Sequence, residues 1–161
     1  MGNIVGYEKV PHWSKNTYLD EKTNIILHGA QDDILVCDNE SRAVLDYKTA
    51  KYSEIQDKLL PLYRVQENVY SVLSEKDNKA PVKLFLVYFE PMSDVSAVGG
   101  NIVDKGFKME FVGKVVQVER NRKVVRDALN LTREIYEMQS PPKSREGCKE
   151  CEQLDRLIWI S

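Results

Sequence analysis

The stretch Val82–Phe89 constrains the fold most, because seven of its eight residues are apolar and only Lys83 is charged. A run of this length is too short to span a bilayer, which takes about 20 residues. It is typical of a strand that is covered on both faces of a sheet. We therefore predict a central strand here, with neighbouring strands and covering helices built from the rest of the chain.

The segments around this run supply such neighbours. Residues 24–37 predict a strand with a bend at Gly29, and residues 42–49 predict a second strand after a turn. A helix is expected from Pro61 to about Glu75, a loop over 93–106, a strand over 107–118 and a helix from Asn121 to Met138. This order predicts an α/β chain in which helices flank one central mixed β-sheet.

Apolar spacing predicts which faces of the two helices are buried. The first helix carries apolar residues at Leu62, Val65, Val69, Val72 and Leu73, and the second at Val124, Ala128, Leu131 and Ile135. Arg122, Arg126 and Arg133 fall on the opposite face of the second helix. We expect this arginine face to be solvated, and the alternative is a surface that grips phosphates.

Composition limits the classes of protein to consider. With 161 residues and a net charge of −2, the chain predicts one domain over 1–161, with 139–161 as a cysteine-containing tail. Nucleic acid would therefore need a local basic patch rather than bulk charge. There is no run that could cross a membrane, and three cysteines favour a reducing, cytoplasmic setting.

Three polar motifs are expected to converge on one point. Side chains alternate along a strand, so Asp46 and Lys48 point to the same face. Asp32 lies on the preceding segment, which can pair with that strand as a hairpin. Gln66 and Tyr70, one turn apart, share a helix face that also includes Tyr63. Two carboxylates and an ammonium are the groups that metal-assisted cleavage of a phosphodiester requires.

Hard divalent cations prefer oxygen ligands, and Mg²⁺ often binds one or two carboxylates together with waters and a substrate phosphate. Asp32 and Asp46 would supply these carboxylates to Mg²⁺ or Mn²⁺. Lys48 could act as a base on the attacking water or stay charged and stabilise the transition state, and the sequence leaves both roles open. Asp33 is the alternative to Asp32, because a shift of one residue exchanges the faces of a strand.

The motifs Gly29-x-x-Asp32, Asp46-Tyr47-Lys48-Thr49 and Gln66-x-x-x-Tyr70 resemble those of the PD-(D/E)XK nuclease superfamily in its RecB-like branch, which includes CRISPR-associated RecB-type exonucleases. The resemblance implies a restriction-endonuclease-like sandwich and catalytic roles for Asp32, Asp46, Lys48, Gln66 and Tyr70. It also implies that the main-chain carbonyl of Tyr47 binds the metal.

The same resemblance implies the substrate and the setting. We expect a DNA nuclease, acting as an exonuclease or on DNA ends in recombination or repair, with protein partners of a recombination or CRISPR-type complex. The rival expectations are a catalytically silent module that keeps the fold and binds nucleic acid or assembles with partners, and a structural α/β domain whose acids coincide by chance.

The chain departs from this family pattern at two places. The metal-binding histidine of an N-terminal helix has no counterpart, and we expect His12 and His28 to be ordinary surface or packed histidines. Cys148 and Cys151 resemble part of an iron–sulfur motif, but such clusters need four ligands. Cys37 falls within a predicted strand, so we expect no iron–sulfur cluster in this chain.

Overall fold

The computed structural model describes residues 2–53, 59–76, 82–92, 102–103, 106–107 and 109–158. Its strands are β1 Ile4–Glu8, β2 Thr17–Asp20, β3 Ile25–His28, β4 Asp33–Cys37, β5 Arg42–Lys48, β6 Val82–Pro91, β7 Ile102–Val103, β8 Gly106–Phe107 and β9 Phe111–Val118. Its helices are α1 Leu60–Glu75, α2 Arg122–Glu137 and α3 Lys149–Ile158. The predicted α/β class is therefore confirmed.

Five of the strands form one mixed sheet in the order β1, β4, β5, β6, β9. Strands β5 and β6 are parallel, and the other neighbouring pairs are antiparallel. A parallel pair needs a long crossover connection, which α1 provides between β5 and β6. Strand β6 has a partner along each edge, so the prediction of an internal strand at Val82–Phe89 is confirmed.

The core lies between this sheet and α1. Alternate residues of the inner strands point to the helix, and the register aligns Val44 with Leu84 and Leu84 with Val118. These three side chains are buried, together with Leu60 of α1. One step further along the strands the same face carries Asp46 beside Leu86, and after another step Lys48 beside Tyr88. The polar motif of β5 therefore continues a buried apolar row.

The single strand predicted over residues 24–37 is wrong. Strand β3 pairs with β2 in a separate two-stranded sheet, whereas β4 pairs with β1 and β5. Polar side chains hold the connection between β3 and β4: the Asn16 amide donates to the carbonyl of Gly29, and the Gln31 amide donates to Ser74. The pattern of apolar residues gives no sign of these hydrogen bonds. For this reason the prediction treated β3 and β4, which belong to different sheets, as one strand.

The apolar stripe predicted for the first helix is also wrong in part. The helix begins and ends as predicted, but Leu62 is 61 % exposed. The buried residues of α1 are mostly polar: Leu60, Glu67, Asn68, Ser71, Leu73, Ser74 and Glu75. Asn68 can be buried because its amide donates to two carbonyls and its oxygen accepts from the Asn121 N–H.

The second helix is rotated relative to its predicted position. Asn121 caps it as expected, because its side chain accepts from the Lys123 N–H. However, Val125 and Leu129 are the buried residues of α2, whereas Leu131 and Ile135 of the predicted stripe are exposed.

The arginines of α2 explain this rotation. Arg126 contacts Asp20 at 2.8 Å and Arg122 contacts Glu75 at 2.8 Å, and both carboxylates are buried. The predicted solvated face is confirmed for Arg122, which is 64 % exposed, and only in part for Arg126, which is half-buried. Both guanidinium groups nevertheless reach inward, because buried carboxylates need a partner. Arg133 pairs with Glu137 and lies over the ring of Tyr136, and both of these residues are on its own helix.

The segment 139–161 contains α3 and is therefore partly helical. The predicted loop over 93–106 falls mostly outside the described residues, apart from the short strands β7 and β8. In the described part of the chain, none of the helices has the length and apolar character that crossing a bilayer requires.

The contact between Arg126 and Asp20 gives a first testable prediction. Burial alone would raise the pKa of the Asp20 carboxyl, but hydrogen bonds from Thr23 and from the Arg126 guanidinium outweigh it and lower the pKa. We expect Arg126→Ala to reduce the free energy of unfolding by about 2 kcal/mol in urea denaturation, since it removes one partner of a buried charge. Arg133→Ala, which breaks a surface pair, should cost less than about 0.5 kcal/mol. Equal effects of the two substitutions would contradict this account.

Candidate active site

Asp46 and Lys48 lie at the end of β5, on the sheet face that α1 covers. Asp46 is only 4 % exposed, and its Oδ2 contacts the ammonium of Lys48. Burial raises the pKa of the Asp46 carboxyl, against the lowering effect of Lys48, and the charge of Asp32 raises it further. The structure therefore brings an acid and an amine together at a position with little exposure to solvent.

Asp32 is joined to β5 through the backbone. Strand β4 begins at Asp33, which faces Leu45, so the backbone of Tyr47 extends past the end of β4. The Asp32 carboxylate takes this place in the ladder, because its Oδ2 accepts the Tyr47 N–H at 2.7 Å. This bond ties the acid of one motif to the strand that carries the other.

Asp33 faces the other side of the sheet. Its carboxylate accepts from the hydroxyl of Tyr47 at 2.7 Å, and this bond is the main reason why the pKa of Tyr47 is raised to about 12. Tyr47 alternates with Asp46, so its side chain lies on the face opposite to the Asp46 carboxylate. Of the two alternatives, the geometry thus favours Asp32 as the neighbour of Asp46.

Gln66 connects the helix to the strand. Its amide donates to Asp46 Oδ1 at 3.1 Å and to the Tyr70 hydroxyl at 2.8 Å, and its carbonyl accepts from Lys48 Nζ at 3.4 Å. The ammonium also lies 4.3 Å from the centre of the Tyr63 ring. Thus the structure brings together all the predicted side chains of β5 and α1, and Asp32 joins them through the Tyr47 N–H.

Gly29 allows α1 to approach this closely. A Cβ atom at position 29 would lie 3.2 Å from a ring carbon of Tyr70 and 3.7 Å from Leu73. The shorter of these separations is tighter than an ordinary contact, so the Tyr70 ring would have to shift by a few tenths of an ångström to admit a Cβ atom. The glycine lets the segment that carries Asp32 pass beside the ring of Tyr70.

Glu67 also belongs to this site, although none of the three sequence motifs includes it. Its side chain is fully buried at 0 % exposure, and neither carboxylate oxygen has a hydrogen-bond partner among the described residues. Burial, together with the charges of Asp46 and Asp32, raises its pKa to about 8, although the charge of Lys48 opposes this shift. Helical spacing could have found it, because position 67 lies one turn from both Tyr63 and Tyr70.

These residues are compatible with a divalent cation. Asp32 and Asp46 are two carboxylates, and the buried oxygens of Glu67 and Asp46 Oδ2 lack a hydrogen bond of good geometry within the described chain. Within the described ranges, three or more His, Cys, Asp or Glu side chains are nowhere grouped to hold a metal. The donor set therefore fits a hard cation that binds two carboxylates and keeps waters, rather than a closed protein cage.

The histidines and cysteines lie in other environments. His12 shares a hydrogen bond with Ser14 Oγ at 2.8 Å, and His28 packs against the ring of Trp13. Cys37 is buried in β4, as predicted for a small apolar side chain. Cys148 and Cys151 are half-buried at the beginning of α3.

A mixed sheet with a crossover helix above a buried acid and lysine defines the class of restriction-endonuclease-like folds. The chain belongs to the PD-(D/E)XK nuclease superfamily, whose family model matches residues 3–156. A search of curated proteins gave no match. The superfamily makes the chain a member of a group of nucleases, whereas the RecB-like branch remains a prediction from the three motifs.

Glu67 should control the dependence of stability on pH. Its pKa of about 8 in the folded protein lies above the ordinary value of 4.5, so the folded state holds a proton that the unfolded state releases. Stability therefore falls as the pH rises between these two values, by on the order of 5 kcal/mol for this one group, and levels off above them. Urea denaturation over this pH range should show a flatter profile for Glu67→Gln than for the natural chain.

Glu75→Gln is the matched control, because Glu75 is a buried acid on the same helix with the opposite shift. Burial raises its pKa, but hydrogen bonds from Arg120, Arg122 and the Val82 N–H outweigh burial and lower it. Glu75→Gln should therefore destabilise the protein at neutral pH, whereas Glu67→Gln should stabilise it. Parallel pH profiles for the natural chain and Glu67→Gln would refute the assignment of the proton to Glu67.

Proposed function

We propose that this chain is a metal-dependent nuclease that hydrolyses phosphodiester bonds of DNA at the end of β5, beneath α1. The observation that carries the proposal is the shared network of Asp46, Lys48 and Gln66, to which Asp32 is tied through the Tyr47 N–H. Membership of a nuclease superfamily supports it. The catalytic residues proposed are Asp32, Asp46, Lys48, Gln66 and Tyr70.

Asp32, Asp46 and the main-chain carbonyl of Tyr47 would hold the metal ion. A strand residue directs its N–H and C=O to the same neighbouring strand. Because the Tyr47 N–H points to Asp32, its carbonyl is directed to the same side of β5. When bound, Mg²⁺ or Mn²⁺ supplies a Lewis acid for the phosphoryl oxygen and makes a bound water more acidic.

Lys48 is surrounded by groups that attract a positive charge. Its ammonium contacts the Asp46 carboxylate, the Gln66 carbonyl and the face of the Tyr63 ring. We therefore assign to Lys48 the electrostatic role, in which it stabilises the negative charge that develops on the phosphate, rather than the role of base.

Gln66 and Tyr70 would position these groups. The amide of Gln66 has both N–H bonds engaged, by Asp46 and by Tyr70, so its orientation is fixed. The Tyr70 hydroxyl accepts from Gln66, so its own O–H is left to donate to another group. In this proposal that group is a phosphate of the nucleic-acid backbone. Burial raises the pKa of the Tyr70 hydroxyl, which keeps this proton in place at neutral pH.

The biological setting rests on the resemblance of the three motifs alone. An exonuclease or end-processing role in recombination or repair, a place in the RecB-like branch and partners of a recombination or CRISPR-type complex remain part of this proposal. The alternative function, a silent module that binds nucleic acid without cutting it, makes a different prediction in the same cleavage assay.

Asp46→Asn tests the proposal directly. We expect loss of cleavage of single- and double-stranded DNA in Mn²⁺ by more than about a hundredfold, the scale on which a single electrostatic group acts. Stability should be unchanged or higher, since the substitution removes a buried acid whose pKa burial has raised. The control is Asp33→Asn, on the other sheet face, which should keep most of the rate.

Two results would count against the proposal. A rate close to that of the natural chain in Asp46→Asn would show that cleavage occurs elsewhere or comes from a contaminant. Binding of DNA without cleavage in Mg²⁺ or Mn²⁺ would favour the silent module.

Metal binding can be tested apart from catalysis. A cation that binds only the folded state stabilises it by about 2.7 kcal/mol at a hundredfold excess over Kd. For a chain of this length that corresponds to a rise in Tm of roughly 5–10 °C. Mn²⁺ should produce this shift in the natural chain and in Asp33→Asn, but not in Asp32→Asn or Asp46→Asn. An equal shift in all four proteins would place the ion outside this site.

A further inference from the structure

A nucleic-acid strand approaching this site meets mostly negative charge. Asp32 and Asp46 lie near one ammonium, that of Lys48, and the whole chain has a net charge of −2. The arginines of α2, which the sequence offered as a phosphate-binding surface, are engaged: Arg122 and Arg126 contact buried carboxylates. Cations for the strand must therefore come from another surface beside the site.

The register of the sheet places a lysine beside the site. Lys48 of β5 is level with Tyr88 of β6, and Tyr88 is level with Lys114 of β9. Residues that are level across neighbouring strands point to the same face, so Lys114 shares the face of Asp46 and Lys48. Strands lie about 4.8 Å apart, which puts the backbone of Lys114 about 10 Å from that of Lys48.

Among the residues that the structure describes, the ammonium of Lys114 contacts an aromatic ring and no acid. It lies 4.9 Å from the centre of the Tyr52 ring, and this ring packs on Tyr88 at 5.1 Å. No carboxylate of the described residues is within ion-pair distance of Lys114, whereas Lys51 contacts Glu90 and Lys48 contacts Asp46. Lys114 is also exposed, so its N–H donors can reach a ligand.

We propose that Lys114 binds a backbone phosphate of the nucleic-acid strand next to the one that is cut, and that the Tyr52 ring positions its ammonium for this contact. The inference rests on the proposed function, because it concerns the substrate of the same site. With this contact the site extends from the end of β5 across β6 to β9. It follows the row of residues that are level with one another across these strands, Lys48, Tyr88 and Lys114.

The test measures binding without turnover. Asp46→Asn protein is titrated into a short fluorescein-labelled single-stranded DNA, and anisotropy is followed over a series of KCl concentrations. Adding Lys114→Ala should weaken binding severalfold and reduce the slope of log K against log salt by about 0.7, the value for one phosphate contact on a single strand. The matched control is Lys83→Ala, an exposed lysine of β6 on the opposite sheet face, which should change neither quantity.

Tyr52 is tested by two substitutions. Tyr52→Phe keeps the ring and should keep the salt slope, whereas Tyr52→Leu removes the ring and should lower the slope as Lys114→Ala does. A merely structural tyrosine would affect the urea denaturation midpoint without this effect on the slope. In the cleaving chain, Lys114→Ala should raise KM more than it changes kcat.

The outcomes separate this inference from the proposed function. If the natural chain cleaves DNA and Lys114→Ala binds with the salt slope of Lys83→Ala, Lys114 makes no phosphate contact and the inference is wrong while the function stands. If binding depends on Lys114 but the natural chain cleaves nothing, the function is wrong and the inference stands.

Discussion

The contact of the buried Asp46 carboxylate with the Lys48 ammonium is the interaction on which the rest of the site depends. A carboxylate at 4 % exposure without a cation would be strongly unfavourable, and the Lys48 ammonium supplies that cation. Their alternation along β5 places both on the face beneath α1, where Gln66 bonds to both. The parallel pairing of β5 with β6 requires a long crossover connection, and α1 provides it over this face. One pair of charges and one rule of sheet topology thus bring strand and helix motifs together.

The helix that covers the site is unusual because most of the side chains it buries are polar. Asn68 and Glu75 find partners in backbone groups and arginines, so their burial fixes the position of α1 relative to β6 and α2. Glu67 differs from them, because neither of its oxygens has a partner in the described chain. Directional bonds specify position more narrowly than apolar packing does. The Gln66 amide, which lies 3.1 Å from Asp46 Oδ1, is therefore placed more narrowly by a polar interface than by apolar contacts alone.

Sequence patterns predicted what depends on local periodicity. Alternation placed Asp46 and Lys48 on one face, and Pro61 marked the beginning of α1. The patterns failed where tertiary hydrogen bonds decide the outcome. Arg126 reaches inward to the buried carboxylate of Asp20, which lies more than 100 positions away in the chain. The separation of β3 from β4 depends on the side chain of Gln31, and a periodic pattern does not reveal such partners.

Asp32 and Asp33 were alternatives for the carboxylate beside Asp46. The direction in which each side chain points from the sheet explains why only Asp32 lies near it. Asp32 and Asp33 are neighbours, and a strand directs neighbours to opposite faces. The decisive fact is where β4 begins: because the ladder starts at Asp33, Asp32 stands just outside it and bonds the Tyr47 N–H that the strand leaves open. Asp33 meets the Tyr47 hydroxyl instead. One tyrosine therefore orients both acids, its backbone holding one toward the site and its side chain holding the other away from it.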